Sequence, residues 1–194
     1  MKQAMFNQQL CEFLGEATTP FHAVAAMARR LDESGFVRIR EADPIDGKPG
    51  KYYLVRNGSS IVAYVIGRES PPGEGMRMVG AHTDSPCLMV KPEPEVHRKG
   101  YFQLGVQVYG GALLNPWFDR DLSLAGRVSY RSGEGRLRVG LVDFRDPVAV
   151  IPSLAIHLDR EANENRRVNA QKDILPLLSQ GSSGDPQSFR EMLK

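Results

Sequence analysis

Apolar residues at helical spacing open the chain. Phe6, Leu10, Phe13 and Leu14 fall on one face and Gly15 follows, which predicts an amphipathic helix with a glycine stop. Thr19 and Pro20 suit an N-cap and a first helical turn, and Phe21, Val24, Ala25, Ala28 and Leu31 form one stripe up to Gly35, predicting a second helix. The period then changes. Lys51 to Arg56 and Ile61 to Ile66 flank Asn57-Gly58, the signature of a β-hairpin. Ser70 to Gly75, with two prolines and two glycines, reads as a loop leading to a short apolar strand, Met76 to Ala81. That strand would place His82 at its C-terminal end.

Beyond Pro86 the pattern becomes largely β. Tyr101 to Tyr109, Leu124 to Arg131 and Leu137 to Val142 read as strands, with Ser132-Gly133-Glu134-Gly135 as a tight turn between the last two. Leu154 to Arg160 is expected as a short helix, Gln180 to Pro186 as a flexible loop, and Phe189 to Leu193 as a final helical turn. The change of character near Pro92 and Pro94 divides the expected organisation into residues 1–91, with helices and mixed sheet, and a β-rich unit over residues 92–194. No internal repeat is visible.

Bulk properties narrow the classes. At 194 residues with 41% hydrophobic content the chain has enough apolar material for a packed core. Its 25 Lys and Arg against 23 Asp and Glu give a net charge of +2 with no long basic run, so nucleic acid is not an expected partner. Cys11 and Cys87 suggest neither a disulfide framework nor a thiolate metal cage, which fits a reducing compartment. The first 14 residues lack the continuous apolar core of a secretion signal, and no stretch approaches the length needed to span a bilayer. A cytoplasmic protein without membrane partners is the expectation.

Chemistry concentrates at Val79-Gly80-Ala81-His82-Thr83-Asp84-Ser85-Pro86. A histidine leaving a strand, with a carboxylate two residues on, can offer an imidazole nitrogen to a metal while the carboxylate braces the site. A lone His-x-Asp more often describes a hydrogen-bonded corner. His157, between Ile156 and Leu158, reads by itself as a core or corner histidine. His22 reads as structural and His97 as an exposed loop residue. Trp117 beside Asp119, Arg120 and Asp121 reads as a buried indole next to an Arg-Asp ion pair.

The run from Ala81 through His82, Asp84, Pro86 and Lys91 to Pro92 resembles the first metal-ligand segment of the M18 metallo-aminopeptidases, the aspartyl aminopeptidase group. Thr19-Pro20-Phe21-His22-Ala23-Val24, Tyr109-Gly110-Gly111-Ala112, Trp117 to Val128 and Ile151 to Leu158 match that family's pattern in the same order, so the resemblance extends from about Phe6 to Leu178. It implies an α/β fold: part of a zinc-exopeptidase α/β domain (1–91) followed by a β-rich dimerisation domain (92–194) through which homo-oligomers form. It also implies a zinc-dependent aminopeptidase that removes N-terminal residues, preferentially Asp and Glu, from peptide substrates. In such a site a two-metal centre lowers the pKa of a bridging water and polarises the scissile carbonyl. His82 takes the place of a metal ligand and Asp84 that of the catalytic carboxylate bracing it. His157 takes an active-site place, either near the metal or as a substrate contact reaching a neighbouring subunit.

One departure follows. The family site also needs a bridging Asp, a Glu-Glu pair, another Asp and a further His, expected downstream of Lys194; Glu161 and Glu164 lie in a polar stretch that reads as solvated. The sequence therefore reads as an N-terminal portion, inactive alone. The alternatives are a non-catalytic oligomerisation or binding module derived from such an enzyme, and a single-metal hydrolase completed from His82, Asp84, His157 and a neighbour's residues.

Overall fold

A computed structural model describes residues 2–45, 47–68, 75–181 and 188–193. The chain divides into two compact units, Met1–Ser85 with Gly126–Leu141, and Pro86–Ala125 with Val142–Lys194.

The first unit begins with helices α1 (Lys2–Glu16) and α2 (Pro20–Glu33). At the start of α2, Thr19 Oγ1 accepts from the His22 main-chain N–H at 3.4 Å and Pro20 occupies the first turn, where its missing N–H costs no helical bond. At its end Gly35, at φ 76°, lets the chain reverse: its N–H reaches the Asp32 carbonyl at 3.0 Å and the Phe36 N–H reaches Leu31 at 3.0 Å. This paired closure satisfies carbonyls the helix leaves open. Ala23, Val24 and Ala26 are the buried residues of α2. Gly15 does not stop α1, which runs one residue further; Glu16 pairs with Arg29 and Arg30 of α2.

Strands β1 (Val37–Arg38), β2 (Gly50–Arg56) and β3 (Ser60–Ile66) form a sheet in the order β1-β2-β3. The β2–β3 hairpin turns at Asn57 and Gly58, with φ of 51° and 69°, the two left-handed residues such a turn requires. Tyr53 on β2 is buried and its hydroxyl donates to Asp32 Oδ1 at 2.7 Å, tying sheet to helix. Burial, reinforced by the Asp32 carboxylate, raises the Tyr53 pKa. Strands β6 (Ala125–Arg131) and β7 (Leu137–Asp143) make a second hairpin. Arg127 fastens it to the first, stacking 4.1 Å from the Phe21 ring centroid and donating to the Asn57 carbonyl at 2.9 Å.

The strand expected over Met76 to Ala81 does not form. Among the described residues no neighbouring strand pairs with it, and Met76, Met78 and Val79 are exposed. An apolar run becomes a strand only where an edge satisfies its N–H and C=O groups.

In the second unit β4 (Cys87–Arg98), β5 (Tyr101–Tyr109) and β8 (Leu177–Gln180) form a sheet in the order β4-β5-β8. β4 runs through Pro92 and Pro94. Its register breaks between Val90 and Glu95, and an edge strand with such an irregularity tolerates residues that cannot donate. Phe102, Leu104 and Val106 alternate inward from β5 and pack with Phe118, Ile151 and Ile174. Fully burying one such aliphatic side chain is worth about 1.5–3 kcal/mol. The helix expected over Leu154 to Arg160 is a turn, in which the Ala155 carbonyl accepts from Leu158 and Asp159. Leu154, Ile156 and Leu158 are exposed, so no apolar face is buried to sustain a helix. The final turn forms as α3 (Phe189–Met192), and residues 182–186 of the expected flexible loop lie outside the described residues.

Candidate functional site

His82 and Asp84 come together. The His82 side chain is 82% exposed, and its Nδ1 lies 2.7 Å from the Asp84 main-chain oxygen and 3.4 Å from Asp84 Oδ1. A carbonyl oxygen only accepts, so in this hydrogen bond Nδ1 carries the proton and the lone pair of the neutral ring resides on Nε2. The segment is anchored by Thr83, whose hydroxyl donates to the Ser59 carbonyl at 2.8 Å, just before β3. His82 thus stands in an exposed segment outside any strand rather than at a strand's end, oriented by its neighbour two residues on.

His157 belongs to the other unit. It lies in the turn between Ile156 and Leu158, exposed like both neighbours, rather than in a core. The turn is held from outside it. The Asp119 carboxylate accepts from the Ser153 N–H at 2.8 Å, and Arg166 Nη2 donates to Ser153 Oγ at 3.2 Å. The Ser153 side chain, then its main-chain N–H, with a smaller contribution from Arg166, hold the Asp119 carboxyl below the ordinary carboxylate pKa.

The remaining candidates are architectural. The His22 ring Nδ1 lies 2.7 Å from the capping Thr19 Oγ1. His97 sits on β4, not in a loop, and stacks on Phe102 with centroids 4.8 Å apart. Trp117 closes a short 3-10 turn, Asn115–Trp117, and is half-buried against the core. Of the two carboxylates flanking Arg120, Asp119 accepts from the Ser153 N–H instead. The Asp119–Ser153 contact spans 34 positions and the Ser153–Arg166 contact 13, and no local motif signals them.

The family model for the aminopeptidase I zinc metalloproteases (M18) matches residues 13–191. The chain belongs to the M18 family. A probable M18 family aminopeptidase 2 of Pseudomonas fluorescens (strain SBW25) is 54% identical over 194 residues, covering 100% of this chain and 45% of the relative. Its counterpart in Azotobacter vinelandii is 54% identical over 188 residues, covering 96% of this chain and 44% of the relative. Among solved structures, Chaetomium thermophilum mApe1 aligns with a TM-score of 0.82 at 36% identity, over 96% of this chain and 44% of that one. The M18 aminopeptidase of Thermotoga maritima aligns with a TM-score of 0.77 at 27% identity, over 94% and 40%. The S. cerevisiae mApe1 dodecamer aligns with a TM-score of 0.76 at 27% identity, over the same shares. The α/β architecture is therefore that of the M18 aminopeptidases, and the chain spans less than half the length of the curated relatives it matches.

Zinc chemistry in this family sets a test for the residues present. A catalytic zinc takes three protein ligands, and an imidazole whose other nitrogen is held by an oxygen acceptor suits one of those places. His82 meets that description. Among the described residues no three His, Cys, Asp or Glu side chains stand together to hold a metal ion, so these residues do not complete a zinc site. Among the described residues, too, no helix is long and apolar enough to cross a membrane.

Proposed function

We propose that this chain supplies part of a zinc-dependent aminopeptidase that removes N-terminal residues, preferentially Asp and Glu, from peptides, and that the 194 residues alone are inactive. The observation that carries this reading is the M18 match over residues 13–191, which includes the oriented His82–Asp84 pair. His82 is assigned one metal-ligand place, with Nε2 as the coordinating atom, and Asp84 fixes its ring. A two-metal centre in the complete enzyme draws its remaining ligands from outside this chain. His157 is assigned the role of a substrate contact, its exposed position fitting a residue that acts away from its own core. The residues before the Pro92/Pro94 pair are assigned to catalysis and the β-rich part after it to homo-oligomer formation, in the cytoplasm.

The test is substitution in the full-length enzyme. His82→Ala is expected to remove about one zinc per subunit and to abolish release of N-terminal aspartate, and Asp84→Asn, which keeps the main-chain acceptor and removes only the carboxylate charge 3.4 Å from Nδ1, to weaken zinc binding to a smaller extent. An H82A enzyme with full zinc content and activity would overturn the assignment.

A non-catalytic assembly module is the second reading. It is favoured by the exposed run of Met76, Met78 and Val79, which leaves apolar surface available for association.

A further inference from the structure

Residues 153–166 form a loop whose two stems meet in one cluster. At the entry, Asp119 is held in the left-handed region at φ 54°, its N–H donating to the Ile151 carbonyl at 2.9 Å while its Oδ1 accepts from the Ser153 N–H at 2.8 Å. At the exit, Arg166 turns back over the same ground. Its Nη2 donates to Ser153 Oγ at 3.2 Å, its Nη1 donates to Asn115 Oδ1 at 3.2 Å, and its Nε faces Asp159 Oδ2 at 4.0 Å. The guanidinium also lies 4.1 Å from the ring centroid of Phe118, a core residue.

This placement is unusual for a loop arginine. Its side chain is only 21% exposed, while Leu154, Ile156, His157 and Leu158 between the stems are all exposed. A loop that merely connects two core segments gains nothing from being held in one shape and gives up conformational entropy. Holding it is useful when something on it must be presented; of the exposed ionisable side chains between the stems, His157, Arg160, Glu161 and Glu164, the one read as a substrate contact is His157.

We infer that Arg166 is a positioning residue for His157, clasping the loop by bridging Ser153, Asn115 and Asp159, with Asp119 as the second clamp on the same stem. The inference rests on the reading of His157 as a substrate contact. A planar fork that bonds two acceptors while stacking on an aromatic ring is a task for arginine, which lysine performs only in part.

Hydrogen exchange on this chain reads the clasp directly. Arg166→Gln is expected to speed exchange of the 154–165 amides by about tenfold or more while β5 amides stay protected, and Arg166→Lys to restore protection only partly. Asp119→Asn, which tolerates the left-handed backbone and keeps an acceptor, is expected to resemble wild type, whereas Asp119→Ala should not. If R166Q also exposes β5, the comparison of R166K with D119A carries the test.

In the full-length enzyme, H157A is expected to lower kcat/KM on a peptide with N-terminal aspartate, and R166Q to lower it through the same parameter, kcat or KM. The R166Q/H157A double variant should be no worse than H157A. Unchanged loop exchange in R166Q, or an R166Q effect undiminished in the H157A background, overturns the positioning role while leaving the His157 reading intact. An H157A enzyme with normal kcat/KM overturns the His157 reading itself, and the positioning role with it.

Discussion

Thr19 shows how much one side chain can decide. Its hydroxyl meets both the His22 main-chain N–H and the His22 ring, so it caps α2 and engages that histidine in the same contact. Thr19→Ala is expected to cost about 1 kcal/mol in urea unfolding. Tyr53→Phe, which leaves Asp32 without its phenolic donor, should cost about 0.5–1.5 kcal/mol. Asp119 makes a pH prediction. Its folded-state pKa lies below the ordinary 3.8, so its bonds to Ser153 stabilise the fold above that value and the contribution is lost as pH falls through the folded pKa. The stability difference between wild type and D119A should therefore shrink on acidification below pH 3.8; a difference that stays constant there would contradict the assignment. At this scale the sequence was uneven. The His82-x-Asp84 spacing was readable because both residues are local, whereas the Asp119–Ser153–Arg166 cluster joins positions that only the tertiary fold brings together.

Elements with strong local signals formed as their patterns predicted. Thr19-Pro20 and Gly35 bound α2, and Asn57-Gly58 closes the first hairpin, because capping and left-handed turns depend on the residues at those positions. Gly35→Ala is expected to cost about 1 kcal/mol or more, measured by thermal unfolding, since φ 76° is strained for a residue with a Cβ. Elements that depend on a partner were not legible. Met76 to Ala81 has the composition of a strand but no pairing edge among the described residues, and Leu154 to Arg160 has helical composition but no buried face. β8 escaped notice for the opposite reason, being only four residues long and recognisable through its pairing with β5.

For the molecule as a whole, the two compact units each carry one assigned functional residue set, His82 with Asp84 in the first and His157 in the second. The exposed apolar residues Met76, Met78 and Val79 make a physical prediction for this chain: self-association at micromolar concentration, relieved by Met78→Asp and Val79→Asp. Sedimentation velocity checks it, and a stable wild-type monomer would contradict it. The fold class was legible because several ordered motifs pointed to one family, while the metal centre was not, since one oriented imidazole is a single ligand. The most direct measurement of the central claim is zinc content per chain by elemental analysis, together with release of aspartate from a short acidic peptide, on the purified 194-residue chain and on the full-length enzyme. The account predicts at most about one zinc and no release from the short chain, with activity in the long one. Two zincs and hydrolysis by the short chain itself would contradict it.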